Sequence, residues 1–305
     1  MMARFYLFLV VILCCAGCGD EEVSESNQRS VDGAVPVVVA VNYPVAFMAQ
    51  RIAGDWLKVE MPVPADVDPA YWEPSVEQVV AVQQATLILL NGAGYASWIE
   101  KVSLPQEKLI NTAAGFGEEL LPLESVVTHT HGLAGEHAHA GYAFTTWLDL
   151  EQARAQATAV LEALIHLSPE RRAELGENYN ALAAEFQQLD QRWQLVGASL
   201  AKDGVVFSHP VYQYWQRRYQ VSGPSVHWEP DLDPGDREWR DLDILLAENP
   251  IRWMIWEAEP MPGVRAALAK RGVESLVLPT VSNRHAGCDM MAVLLDATSL
   301  IERSL

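Results

Sequence analysis

The chain has 305 residues, half of them apolar, which is more than one typical domain needs, and it carries a formal net charge of −19 at neutral pH. Phosphate recognition requires a basic face, so a chain this acidic excludes nucleic acid as an expected partner. The same charge favours a cationic ligand over an anionic one.

At the N-terminus Arg4 precedes an apolar run from Phe5 to Cys15, followed by Ala16-Gly17-Cys18. This has the order of a secretory signal: a basic start, an apolar segment and small residues at the cleavage site. The run is too short to span a bilayer comfortably. The small residues before Cys18 resemble a bacterial lipobox, with Cys15 standing where leucine is usual. Residues 1–18 are therefore expected to be a lipoprotein signal peptide, and Cys18 the lipidated first residue of the mature chain. Residues 19–35 are acidic and polar, with little to bury, and read as a flexible tether. The body beyond them holds one further cysteine, Cys288, so no disulfide between body cysteines is available.

From Pro36 to Val41 nearly every residue is valine, the pattern of a strand buried on both faces of a parallel sheet. Asn42-Tyr43-Pro44 turns out of it, Val45 to Ile52 has helical spacing up to the stop at Gly54-Asp55, and Trp56 to Pro62 is a second strand candidate. After Asp68-Pro69-Ala70-Tyr71-Trp72-Glu73-Pro74-Ser75 come a helix to Gln84 and a strand from Ala85 to Leu90, ending in Asn91-Gly92-Ala93-Gly94. Between Thr128 and Ala140 lie His129, His131, His137 and His139, four of the chain's eight histidines. Imidazole is a common zinc ligand, and two His-x-His pairs on a glycine-containing loop are suited to one ion. In extended form the two members of a pair stand roughly 6.5–7 Å apart, so the loop must bend to share a metal. From Leu148 to about Leu200 apolar residues recur at helical spacing, with a break at His166-Leu167. Ser168-Pro169 reads as the start of a second, long helix reaching about Leu200.

Val205 to Phe207 is a short buried strand after Asp203-Gly204. Ser208 and His209 follow at its end, and an amphipathic helix is expected to open at Pro210. A histidine between strand end and helix start lies in the crevice where open α/β sheets bind ligands. Beyond it come Ser225-Val226-His227-Trp228-Glu229-Pro230, a helix from Asp241 to Glu248 and a strand from Trp253 to Trp256. Glu257-Ala258-Glu259-Pro260 ends that strand. A helix from Arg265 to Arg271 and a last strand from Ser275 to Leu278 complete the pattern.

Ser208-His209, Gln213-Tyr214-Trp215 and Arg217-Arg218-Tyr219 together resemble a metal-ligand turn of the zinc- and manganese-specific solute-binding proteins of bacterial ABC importers, the ZnuA-like group. Tyr43-Pro44, Arg51 to Asp55, Trp72-Glu73-Pro74 and Asn91 to Gly94 extend the resemblance, which covers Pro36 to Leu300. It implies an α/β fold of two Rossmann-like lobes joined by a long helix, with a ligand cleft between them. The divisions expected are an N-terminal lobe over 36–148 with its histidine-rich loop at 128–140, a helical linker over 149–202, and a C-terminal lobe over 203–305.

The resemblance makes His209 a metal ligand and places the family's three other ligand positions at Ala70, Thr145 and Pro279, none of which can replace them. Glu257 and Glu259, at a strand end in the same lobe, are candidates to supply oxygens beside His209. The implied function is extracytoplasmic capture of a metal ion, zinc rather than manganese, by a lipid-anchored monomer that serves an ABC importer permease. The alternatives are a cleft walled by Tyr71, Trp72, Trp228 and Trp256 that takes a non-metal or chelated ligand, or a scaffold lipoprotein. Without a Gly-x-Ser-x-Gly elbow, a phosphate loop or His-Glu-x-x-His, no enzyme is expected.

Overall fold

The computed structural model describes residues 35–123, 141–285 and 287–305, together with the backbone of 127–130 and 136–139. The signal segment, Cys18 and the tether up to residue 34 lie outside the described residues, as does His131.

The first lobe is built on β1 (Val37–Ala40), α1 (Tyr43–Ala53), β2 (Lys58–Glu60), α2 (Val76–Gln83), β3 (Leu87–Leu90) and β4 (Leu109–Asn111). Its four strands are all parallel in the order β2-β1-β3-β4. Asn42 opens α1 by accepting from Val45 N at 3.2 Å, and Pro44 stands where the first turn needs no amide donor. β4 was not among the predicted strands. Only three residues long and half-buried, it carries too little alternation to be told from a loop. The histidine-rich stretch contains a two-stranded antiparallel hairpin, β5 (Val127–Thr130) and β6 (Glu136–His139), whose register sets His129 opposite His137.

Two helices follow, α3 (Leu150–Leu167) and α4 (Arg172–Asp203). The break between them, Ser168 and a short 3-10 turn at Pro169–Arg171, comes directly after the predicted His166-Leu167, which closes α3. α4 has 32 residues and is about 48 Å long at 1.5 Å per residue. It serves both lobes. Asn178 donates to Ile52 O and Glu185 pairs with Arg51 on the first, while Trp193 Nε1 donates to Thr298 Oγ1 on the second at 2.7 Å.

The second lobe comprises β7 (Val205–Phe207), α5 (Gln213–Tyr219), α6 (Asp236–Glu248), β8 (Trp253–Trp256), α7 (Pro262–Ala269), β9 (Glu274–Val277) and α8 (Met290–Ser304). Its sheet is parallel in the order β7-β8-β9. The segment after Gly223 runs beside β7: Val226 N donates to Phe207 O and Trp228 N to Ser208 O, both at 2.9 Å. The helix expected at Pro210 begins three residues later, at Gln213, after a turn through Pro210 to Tyr212.

α5 is fixed to α4 by Arg218, which donates to both oxygens of Asp190 at 3.0 and 2.8 Å, and by Tyr219 Oη, which donates to Asp190 at 3.0 Å. Gly197 of α4 allows this approach, since a Cβ there would stand 2.5 Å from Tyr219 O. Two buried clusters result. A central one runs through both lobes and takes Val205, Phe207, Trp253 and Ile255, while an outer one beneath α6 and α7 takes Val206, Met254 and Trp256.

Candidate functional site

Strand alternation positions the side chains at the C-terminal edge of the second sheet. In β7 and β8 the odd-numbered residues face the central core and the even-numbered ones the outer cluster. Carried past the strand ends, that alternation sets His209 and Glu257 on the core side. Phe207 is registered with Ile255 on one flank and with Ser225 on the other, so His227, His209 and Glu257 fall in one row.

The contacts follow from this row. The His209 imidazole is 3% exposed, with Nδ1 at 3.3 Å from Glu257 Oε1 and Nε2 at 3.3 Å from Glu229 Oε1. The His227 ring lies perpendicular to it, with 6.0 Å between centres. Burial, and after it the neighbouring His209, hold the His227 imidazole below its usual range, so the ring is neutral near neutral pH. Across the cleft, burial, with Asp68, Glu257 and Glu229 adding to it, pushes the Tyr71 phenol above its ordinary range. That group therefore remains a neutral O–H.

Of these residues Tyr71, His209 and Glu257 border a cavity of about 70 Å³ lined from both lobes, by Asp68, Tyr71 and Tyr95 on one side and His209, Val211 and Glu257 on the other. Direct bonds close the lobes around it. Thr145 Oγ1 donates to Val211 O at 2.5 Å, Trp147 Nε1 to Thr280 O at 2.7 Å and Tyr214 Oη to Ala143 O at 2.8 Å. The space suits an ion with its waters and falls well short of the roughly 300–1,000 Å³ of a small-molecule pocket.

Several expected residues stand elsewhere. Glu259 is exposed and paired with Arg265. Of the four aromatics expected at the cleft, Tyr71 lines the cavity, whereas the three tryptophans are core residues. Trp72 packs edge-on against Trp98 at 5.6 Å, and Trp228 lies between Trp239 and Trp256 at 4.8 and 6.2 Å. Trp228 and Trp256 are even-numbered in this alternation and so belong to the outer layer. Glu229 and His227 carried no role in the sequence reading, although Val226-His227-Trp228-Glu229 alternates apolar and polar in the manner of a half-buried strand.

Residues 38–296 match the family model described as zinc-uptake complex component A, periplasmic, or ZnuA. The chain belongs to the ZnuA family. Among curated relatives of this ZnuA-family chain, the zinc-binding lipoprotein AdcA of Streptococcus pneumoniae is 24% identical over 88% of the chain, which spans only 54% of that protein's length. The high-affinity zinc uptake system protein ZnuA of Bacillus subtilis is 24% identical over 90% of the chain and 88% of its own length. Among solved structures, the Zn(II)-bound ZnuA-like domain of S. pneumoniae AdcA aligns with a TM-score of 0.73 at 20% identity, over 89% of this chain and 98% of that one. The B. subtilis metal-dependent lipoprotein YcdH gives 0.71 at 20% identity, over 88% and 98%. These structures share the two-lobe fold of the ZnuA-family chain.

At two of the positions where the resemblance implies ligands, this member of the ZnuA family has other work for its side chains. Ala70 is buried, and Thr145 is spent on the bond to Val211 O that closes the cleft. Among the described residues, no three His, Cys, Asp or Glu side chains are placed to hold one ion as they stand.

Proposed function

We infer that the protein is the extracytoplasmic zinc-capturing component of a metal ABC importer, with the ion held at His209 in the cleft between the lobes. The observation that carries this reading is a buried imidazole flanked on both edges by carboxylates beside an ion-sized cavity. Imidazole nitrogen with carboxylate oxygen is a donor set that zinc accepts. The names of the ZnuA-family relatives, zinc-binding lipoprotein and zinc uptake protein, support zinc as the cargo. The size of the cavity counts against a flat or chelated ligand, and nothing at the site favours a scaffold.

The rest of the reading follows from this role. The protein acts as a monomer, tethered through a lipid on Cys18 and handing zinc to a permease in the membrane, and fractionation of a Cys18→Ala variant tests the tether. The lobes correspond to 36–148 and 203–305 with 149–202 between them, and the histidines of residues 128–140 gather zinc near the surface.

Calorimetric titration of zinc tests the central point. Zinc binding by the protein, retained when His129, His131, His137 and His139 are replaced by serine and lost in His209→Ala, is the expected result. Equal zinc binding with and without His209 would overturn the reading.

A further inference from the structure

The first lobe contributes to the cavity a buried hydroxyl that no group among the described residues satisfies. Tyr95 follows β3 and the loop Asn91-Gly92-Ala93-Gly94, in which residues 92, 93 and 94 have positive φ, as does Ala96 beyond it. Glycine adopts that conformation freely and alanine does not, so the loop holds an uncommon path at the C-terminal edge of the first sheet. Buried side chains fix it there: Asn91 Nδ2 donates to Phe144 O at 2.9 Å, and Gln156 Nε2 donates to Asn91 O at 3.1 Å. The Tyr95 ring packs edge-on with Phe144 at 5.2 Å and with Trp147 at 5.8 Å, and the residue is only 6% exposed. It lines the cavity, yet its hydroxyl makes no hydrogen bond among the described residues. Burial in that condition is unfavourable, and because Oη lies on the axis of a packed ring, no ring flip moves it to another partner.

We propose that Tyr95 is a positioning residue for the captured ion: its Oη accepts a hydrogen bond from a water bound to the ion and so ties that water to the first lobe. The assignment rests on the zinc-capture reading and deepens it. Among the described residues no three His, Cys, Asp or Glu side chains are placed to hold one ion, so an ion at His209 keeps waters of its own. Zinc takes four ligands, and water fills the positions that the protein leaves open. Each bound water carries two protons, and inside a buried cavity these need acceptors. The wall offers the carboxylates of Asp68 and Glu257 and the hydroxyl of Tyr95, which has lone pairs as well as a proton. Burial first, then Asp68 and Tyr71, hold this phenol above its ordinary range. The group therefore stays neutral and meets the ion through water, whereas direct ligation would need it deprotonated.

The test uses the full chain with His129, His131, His137 and His139 changed to serine as parent, and compares Tyr95→Phe with it. Phenylalanine keeps the ring and its packing and removes only the hydroxyl. Melting curves without metal report folding: a hydroxyl without a partner contributes no stability, so the metal-free melting temperature of Tyr95→Phe is expected to be unchanged or higher. Calorimetric titration should show zinc binding weakened by about 10–100-fold, the loss typical of an outer partner at a metal site. Titration in buffers of different ionisation enthalpy counts the protons released with zinc, and the count should be equal in the two proteins. Parental zinc affinity in Tyr95→Phe would overturn the assignment and leave zinc capture at His209 standing. A lower metal-free melting temperature would also overturn it, by showing that the hydroxyl already has a partner within the protein. A proton count lower by one in Tyr95→Phe would replace the water-mediated contact with a phenolate ligand. Absence of zinc binding in the parent would overturn both this assignment and the zinc-capture reading.

Discussion

At the scale of single residues, the cleft is held by groups that also decide what it can bind. A threonine hydroxyl is a poor zinc ligand but a good donor, and Thr145 closes the lobes directly at Val211 O, two residues past His209. Replacing it with the isosteric valine removes the donor and leaves a carbonyl in the cleft less satisfied, at a cost of about 1–3 kcal/mol. Denaturant unfolding of Thr145→Val should give a lower midpoint with an unchanged slope. An unchanged midpoint would show that the bond contributes nothing to closure.

The place of His209 at the cavity between the lobes was legible in the sequence, because a histidine after three buried apolar residues stands at the edge where such sheets open. Glu257 was legible for the same reason. The tryptophans were misplaced because side chains in a strand alternate with period two, so a residue one step along faces the opposite layer. Trp256 and Glu257 are adjacent in sequence and lie on opposite faces of one strand. The pairing of Glu229 with His209 depends on the segment after Gly223 lying beside β7, a long-range contact that no local pattern encodes.

At the scale of elements, the packing of α5 on α4 fixes the helix that follows the His209 turn. The two helices approach so closely at Gly197 that a Cβ there would meet the backbone oxygen of Tyr219 at 2.5 Å and its Cβ at 2.9 Å. The obstacle is main chain, fixed further by the Arg218 and Tyr219 bonds to Asp190, and it cannot turn aside. Alanine at 197 gains about 1 kcal/mol of helix propensity but incurs overpacking of about 1–3 kcal/mol. The melting temperature of Gly197→Ala is expected to fall, and a rise would contradict the close packing.

Strands buried on both faces, such as Val37–Ala40 and Trp253–Trp256, could be read from their unbroken apolar runs. The helix Met290–Ser304 was not anticipated, although Asp289 caps it by accepting from Ala292 N at 2.8 Å. Its signal was a single capping residue after an irregular stretch. The turn from Pro210 to Tyr212 was read as helix because proline suits a first helical turn. Instead, Tyr212 Oη donates to Leu278 O and holds the turn against the last strand.

At the scale of the whole molecule, the chain keeps the fold of its family, while Ala70, Thr145 and Pro279, where the resemblance implies ligands, carry no imidazole, thiol or carboxylate. The central core runs through both lobes, and the long helix packs on each of them. The cleft therefore lies between parts that share one core, and a few side chains form its wall. The account rests on zinc being held there by His209. Crystals of the protein grown with zinc and measured on either side of the zinc absorption edge would test this most directly. The account predicts an anomalous peak at roughly 2.0–2.1 Å from a ring nitrogen of His209. Zinc peaks confined to the histidines of residues 128–140, with none at His209, would contradict it.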